Sequence, residues 1–154
     1  MVRQKRIVLI TGANKGIGFE VARQLARRDF HVYLGARNEK AGQTAAEKLG
    51  EEGEVTFIRI DVEKTESIAR AVKVFSQQTD RLDTLINNAG ILLDEDKEIL
   101  KVSTDTFETT MRTNILGPLL VAQAFAPLLK KSSAPRIVNV SSGGGQLSGG
   151  ARRQ

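Results

Sequence analysis

Apolar runs and amphipathic stretches alternate along most of the chain. Ile7-Val8-Leu9-Ile10 is four apolar residues in a row, the pattern of a short strand buried on both faces. Beyond it Ile17, Val21, Ala22 and Leu25 recur at helical spacing, with Arg23, Arg27 and Arg28 opposite. That spacing predicts a helix ending near Asp29. His31 to Ala36 is rich in β-formers and reads as a second strand. Asn38 can cap a helix from about Glu39 to Leu49, closed by Gly50 and Gly53. Val55 to Ile60 is a third strand ended by Asp61, and Thr65 is placed to cap the next helix. The apolar face of that helix is Ile68, Ala71, Val72 and Phe75. Leu82 to Ile86 predicts a fourth strand, and residues 91 to 102 a loop. A helix then starts near Thr104 with Phe107 and Met111 on one side, and Gly117-Pro118 predicts a kink or a restart. Leu119 to Leu129 is apolar nearly all round and is expected to be buried. Arg136 to Val140 is the fifth strand, followed by Ser141, Ser142 and a Gly-rich tail without periodicity.

Strands alternating with helices are the sequence form of βαβ units. The expected fold is therefore α/β, a doubly wound parallel sheet. Right-handed crossovers give the strand order 3-2-1-4-5. The C-terminal ends of the strands then carry a glycine-rich turn, Arg37, Asp61, Asn88 and Ser142. Open α/β sheets bind their ligands at that edge.

Composition narrows the chemistry. The 154 residues suffice for one domain. A net charge of +5 comes partly from Arg3, Lys5 and Arg6 at one end and Arg152 and Arg153 at the other. No basic stripe with interleaved aromatics marks a nucleic-acid surface. There is no cysteine, and the single histidine, His31, opens an apolar run and reads as structural. No metal site is expected. No apolar run is long enough to span a bilayer, so neither a membrane partner nor a non-cytoplasmic location is expected.

The turn Thr11-Gly12-Ala13-Asn14-Lys15-Gly16-Ile17-Gly18 spaces its glycines as G-x-x-x-G-x-G. It is neither G-x-G-x-x-G nor a P-loop, since Phe19-Glu20 follow the last glycine. Between a strand and a helix N-terminus, such a turn bares backbone N–H groups for a pyrophosphate. The other reading is a glycine-rich surface turn, against which stand the strand before it and the helix after it. Where a dinucleotide site usually places an acid for the ribose, this chain reads Gly35-Ala36-Arg37. Arg37 with Lys15 suits a 2′-phosphate, so NADP(H) is expected over NAD(H). Asp61-Val62 is expected near the adenine, although an Asp ending a strand is also a common turn residue.

These motifs together resemble the short-chain dehydrogenase/reductase family, and its carbonyl-reductase-like members most closely. The turn from Thr11 to Gly18, Asp61-Val62, Asn87-Asn88-Ala89-Gly90, Arg112-Thr113-Asn114 and Ile137 to Ser142 follow one another as the family's motifs do. The resemblance implies hydride exchange between a nicotinamide and a small-molecule carbonyl or alcohol. It implies cofactor contacts from Gly12, Asn14, Lys15, Gly16, Ile17, Gly18, Arg37, Asp61, Val62, Asn88, Ala89 and Gly90. It further implies Ser142 as the residue that orients the carbonyl, with Ser141 as the alternative, and Asn114 as the member of a proton relay. Without the resemblance, Asn114 reads as a helix-interior polar residue ahead of the kink at Gly117.

One family element has no match. The resemblance calls for Tyr-x-x-x-Lys after the Ser, whereas the only tyrosine is Tyr33, with Arg37 four residues on. Residues 1–154 are therefore expected to be a single NADP-binding Rossmann domain, incomplete at its C-terminus. The other reading is a non-catalytic nucleotide-binding or interaction fragment. With the Leu119–Leu129 helix and the fifth strand lacking cover, self-association is expected.

Overall fold

The computed structural model describes residues 4–93, 98 and 100–142. Its five strands and five α-helices run in the order β1 (Ile7–Ile10), α1 (Gly16–Arg27), β2 (His31–Ala36), α2 (Glu39–Leu49), β3 (Val55–Arg59), α3 (Thr65–Gln78), β4 (Thr84–Asn87), α4 (Thr104–Met111), α5 (Gly117–Leu129) and β5 (Arg136–Asn139), alternating except at the α4–α5 pair. The sheet order is β3-β2-β1-β4-β5, as the alternation predicts. Every strand pair is parallel. β1 lies at the centre and is buried on both faces, which is what its unbroken apolar run requires.

Strand alternation divides the core in two. Val8, Ile10, Val32 and Leu34 face α1 and α2, where small residues such as Ala22, Ala26 and Ala46 let the helices come close. Leu9 and Tyr33 face the other way and pack with Phe75 of α3 and with Val121 and Phe125 of α5. The rings of Tyr33 and Phe75 lie 4.4 Å apart, and those of Phe75 and Phe125 meet edge to face at 5.5 Å.

The carboxylate of Asp83, just before β4, joins three segments from a buried position. It accepts the Ile7 N–H at 2.8 Å, the Ser132 hydroxyl at 2.6 Å and the Arg81 Nε at 3.2 Å. β1, β4 and the turn after α5 are thereby fixed at the sheet edge opposite the glycine turn.

Five local expectations are corrected. α1 begins at Gly16, and its buried face is the stripe of small residues Gly18, Ala22 and Ala26, which leaves Ile17 67% exposed. Lys64 stands at the cap position of α3 and makes no side-chain capping bond, and Thr65 is already helical. β4 begins at Thr84: the Leu82 N–H goes to Leu128 of α5, and Asp83 makes the first bonds to the neighbouring strands, donating to Ile7 of β1 and accepting from Arg136 of β5. The apolar α5 is covered on one side only: Val121, Phe125, Leu128 and Leu129 are buried, whereas Leu119 is exposed. The break expected at Gly117-Pro118 is a turn of π-helix over Arg112–Leu116, which joins α4 to α5 without a restart. Among the described residues no helix is long and apolar enough to cross a membrane.

Candidate cofactor site

β1 ends at Ile10, and the chain leaves the sheet between its two neighbours. Thr11 N–H donates to Ile86 of β4, and Ala13 N–H to Gly35 of β2. The turn is then sewn to the segment after β4. The Thr11 hydroxyl accepts the N–H groups of Asn88 and Ala89, each at 3.1 Å. The Asn88 amide donates back to the carbonyls of Thr11 and Gly12 at 3.1 and 3.0 Å. Two glycines are sterically required here. Gly12 has φ +63°, and a Cβ on it would stand 2.8 Å from the Ala89 Cα; one on Gly18 would stand 2.4 Å from the Asn88 amide nitrogen.

The N-terminus of α1 opens from this turn with no side-chain cap. Its first N–H groups carry the positive end of the helix dipole and remain available to an anion. In front of them lies a cleft of about 410 Å³. Gly12, Asn14, Lys15, Gly16 and Ile17 line it from the turn, and Arg37 from the end of β2. Asp61 and Val62 line it from the end of β3, and Asn88, Ala89 and Gly90 from the segment after β4. Gly18 is buried behind the turn and does not line it. The exposed side chain of Ile17, which leaves the helix–sheet interface, belongs instead to the cleft wall.

Ile60, Glu63, Ile91 and Thr113 also line the cleft, and sequence reasoning missed them. Ile60 and Ile91 adjoin identified motifs and could have been found by extension. Glu63 follows Asp61-Val62 and Thr113 lies within Arg112-Thr113-Asn114, but that they meet across 50 residues, the Thr113 hydroxyl bonding the Glu63 carboxylate, has no signal in the sequence. Asp61 also closes a local turn, its carboxylate accepting the Glu63 N–H at 3.1 Å, while its own N–H donates to Ser67 Oγ. It thus has both the cleft position and the turn role that the sequence left open.

Asn114 and Ser142 lie outside the cleft lining. Both ends of the Asn114 amide engage the backbone of Ile91: Oδ1 accepts its N–H and Nδ2 donates to its carbonyl, each at 2.8 Å. This clasp ties the π-turn to the segment after Gly90. Ser142 is exposed beyond β5, at the same sheet edge as Asn88, because Val140 N–H still bonds the Asn87 carbonyl.

Tyr33 is 1% exposed and wedged between His31 and Phe75, so it is sealed in the core and does not line the cleft. Burial first, with the nearby Glu54 charge, pushes its pKa above the ordinary phenol value. His31 stacks on Tyr33 and meets Thr56 Oγ1 through Nε2 at 2.8 Å, as a structural histidine does. Among the described residues no cluster of His, Cys, Asp and Glu could hold a metal ion.

A family model described as short chain dehydrogenase matches residues 6–152. The chain is 40% identical over 163 residues to a (+)-neomenthol dehydrogenase of Arabidopsis thaliana, covering 92% of this chain and 55% of that protein. It is 40% identical over 149 residues to carbonyl reductase [NADPH] 1 of Mus musculus, covering 92% and 50%. Among solved structures it is similar to the Pseudomonas aeruginosa RhlG/NADP active-site complex, with a TM-score of 0.80, 27% identity, and coverage of 90% and 53%. The chain spans about half the length of the curated relatives it matches.

Proposed function

This chain belongs to the short chain dehydrogenase family, and from that premise we propose that its cleft binds NADP(H) for carbonyl/alcohol oxidation–reduction. The observation that carries the cofactor reading is the pairing of Lys15 and Arg37 in one cleft, with Ala36-Arg37 where a ribose-binding acid would otherwise stand. Arg can make a forked contact to a 2′-phosphate and Lys adds a point charge. The uncapped start of α1, beside Gly12 and Gly16 at positive φ, fits a pyrophosphate. The similar RhlG structure is a complex with NADP, and the mouse relative is named for NADPH.

When bound, the cofactor supplies or accepts a hydride at the carbonyl carbon. The residues of this chain bind and orient. Asn88 and Ala89 hold the turn in shape, and Asp61 and Val62 flank the adenine end. Ser142 hydrogen-bonds the carbonyl oxygen of a small-molecule substrate. Asn114 serves the relay from the π-turn, with its amide already committed to Ile91. The proton donor is the missing part: Tyr33 is sealed in the core, and no other tyrosine is present in the sequence. We therefore propose that these residues are the cofactor-holding domain of a longer reductase. The chain's coverage of about half its relatives supports this. The burial of Tyr33 favours a second reading for the 154 residues by themselves, cofactor binding without turnover.

Fluorescence titration of NADPH and NADH into wild type and Arg37→Asp tests the cofactor reading. The wild type should prefer NADPH, and the variant should lose that preference. Equal wild-type affinities, or unaltered NADPH binding by the variant, refute it. The 154-residue chain should oxidise NADPH with a diketone at a negligible rate, since general acid–base help is typically worth about 10²–10⁴-fold.

A further inference from the structure

Two walls of the cleft come from strands that do not touch. Asp61, Val62 and Glu63 follow β3, whereas Ala89, Gly90 and Ile91 follow β4. In the sheet, β2 and β1 stand between those strands. The ladders fix the strand ends, and the spacing of the walls beyond them depends on other contacts. The loop after β3 leaves the sheet at Ile60, whose N–H bonds the Ala36 carbonyl at 3.0 Å. The bonds that shape the loop from there are local. Glu63 N–H donates to Asp61 Oδ1, Lys64 N–H to the Asp61 carbonyl, and Asp61 N–H to Ser67 Oγ.

The π-turn reaches both walls, and two consecutive residues of it hold one wall each. The Asn114 amide clasps Ile91, and the Thr113 hydroxyl donates to the Glu63 carboxylate. Thr113 is buried, so its bond to the carboxylate is shielded from water. The Thr109 carbonyl also lies 3.0 Å from the Thr113 hydroxyl. A hydroxyl has one proton to give, and an ionised carboxylate is the stronger acceptor. Just beyond the π-turn, the backbone of Gly117 lies against Val62: a Cβ there would stand 3.0 Å from Val62 Cγ2. The π-turn is thus a strut between walls that the sheet keeps two strands apart.

We propose that Thr113 is a positioning residue: through Glu63 it fixes the Asp61–Glu63 wall and holds it ready for the adenine end of a dinucleotide. The inference rests on the reading that the cleft holds NADP(H), with Asp61 and Val62 at the adenine. That end is common to NADPH and NADH, so the effect falls on both alike, whereas Arg37 separates them. A hydrogen bond to an ionised group shifts a local equilibrium by about tenfold or more. Apparent affinity falls with the fraction of molecules whose wall is in place. Removing the Thr113 hydroxyl should therefore weaken both cofactors about three- to tenfold.

The test is titration of NADPH and NADH into wild type, Thr113→Val, Thr113→Ser, Glu63→Ala, Thr113→Val/Glu63→Ala and Arg37→Asp. Amide hydrogen exchange of the cofactor-free chains accompanies it, and a thermal melt checks that each is folded. Thr113→Val should weaken both cofactors equally and speed exchange at Glu63 and Lys64, with the amides of α1 unaffected. Thr113→Ser keeps the hydroxyl and should bind within about twofold of wild type. Glu63→Ala, at a half-buried site, should speed the same exchange, which keeps the test decisive if Thr113→Val fails to fold. Added to Glu63→Ala, Thr113→Val should weaken binding little further; the charge lost with Glu63 is absent from both chains compared and cancels. An undiminished effect there means that Thr113 acts by another contact and overturns the inference. A loss shared by Thr113→Ser, or exchange at Glu63 and Lys64 unmoved by either substitution, also overturns it. NADPH binding unmoved by Thr113→Val but reduced by Arg37→Asp overturns the strut and leaves the cofactor reading standing. A wild type that binds neither cofactor overturns that reading and this inference with it.

Discussion

Replacing Asp83 by asparagine removes a negative charge from the point where β1, β4 and the turn after α5 meet. The aspartate carboxylate is buried and accepts from a backbone N–H, a hydroxyl and a guanidinium. Desolvation is the largest single influence on its pKa and acts upward. The bonds from Ser132, Ile7 and Arg81, with the Arg81 charge, together outweigh it and hold the carboxyl below its ordinary value. A hydrogen bond to a charged group contributes about 1.5–3 kcal/mol, and breaking a buried charged pair costs about 3–5 kcal/mol. Asparagine keeps one acceptor for the Ile7 N–H, and the Ser132 hydroxyl can rotate to accept from the new amide, but the Arg81 pairing is lost. The expected cost is about 2–3 kcal/mol for Asp83→Asn and about 3–5 kcal/mol for Asp83→Ala. For a domain of this size the asparagine variant should melt about 4–12 °C lower.

The pH dependence separates charge from packing. A carboxylate whose folded pKa is depressed contributes stability that is fully present above its unfolded pKa of about 3.9. That contribution is lost as pH falls through the folded value. Urea denaturation of wild type and Asp83→Asn between pH 7 and pH 2.5 should therefore show a gap that is constant above about pH 5 and closes below about pH 4. A gap of the same size at pH 7 and pH 2.5 refutes the electrostatic argument. Equal midpoints at pH 7 refute the role of Asp83 altogether.

Two further outcomes are expected. Gly18→Ala places a methyl where the Asn88 amide now lies, displacing its bonds to Thr11 and Gly12; denaturation should show a loss of about 1–3 kcal/mol, with weakened NADPH binding by titration. The chain should self-associate, because Phe107, Ile115 and Leu119 on the α4–α5 rod and Ile137 and Val138 on the β5 edge are all exposed; a monodisperse monomer by light scattering at micromolar concentration contradicts this.

The strand order was legible because it follows from alternation and handedness, both independent of fine packing. The cleft was legible where its residues belong to short local motifs, which is why Lys15, Arg37, Asp61 and Asn88 appear together as expected. What escaped is what depends on distant contact. Helical spacing alone placed Ile17 with Val21 and Leu25 on the buried face, but the stripe that meets the sheet is the adjacent one of small residues, Gly18, Ala22 and Ala26. The burial of α5 on one side only depends on which neighbours exist, and composition does not encode neighbours. Glu63 meets Thr113 only through the fold. Two alternatives left open turned out to describe the same residue: Asp61 is a turn former that also lines the cleft.

The stitching of the glycine turn has a consequence for biosynthesis. Its bonds to Thr11 and Gly12 join residues 76 to 78 positions apart. At about 5–20 residues per second, roughly 4–15 s separate the synthesis of Gly12 from that of Asn88. Through that interval the nascent chain holds every glycine of the turn, α1 and three strands, while the carbonyls of Thr11 and Gly12 still lack the amide that fixes them. A phosphate arriving then meets a loop of many shapes. The motif is written in the first 18 residues, but the turn is fixed only with Asn88 and Ala89 and its cleft walled only with Thr113; a ribosome halted before them would release the whole signature without the site.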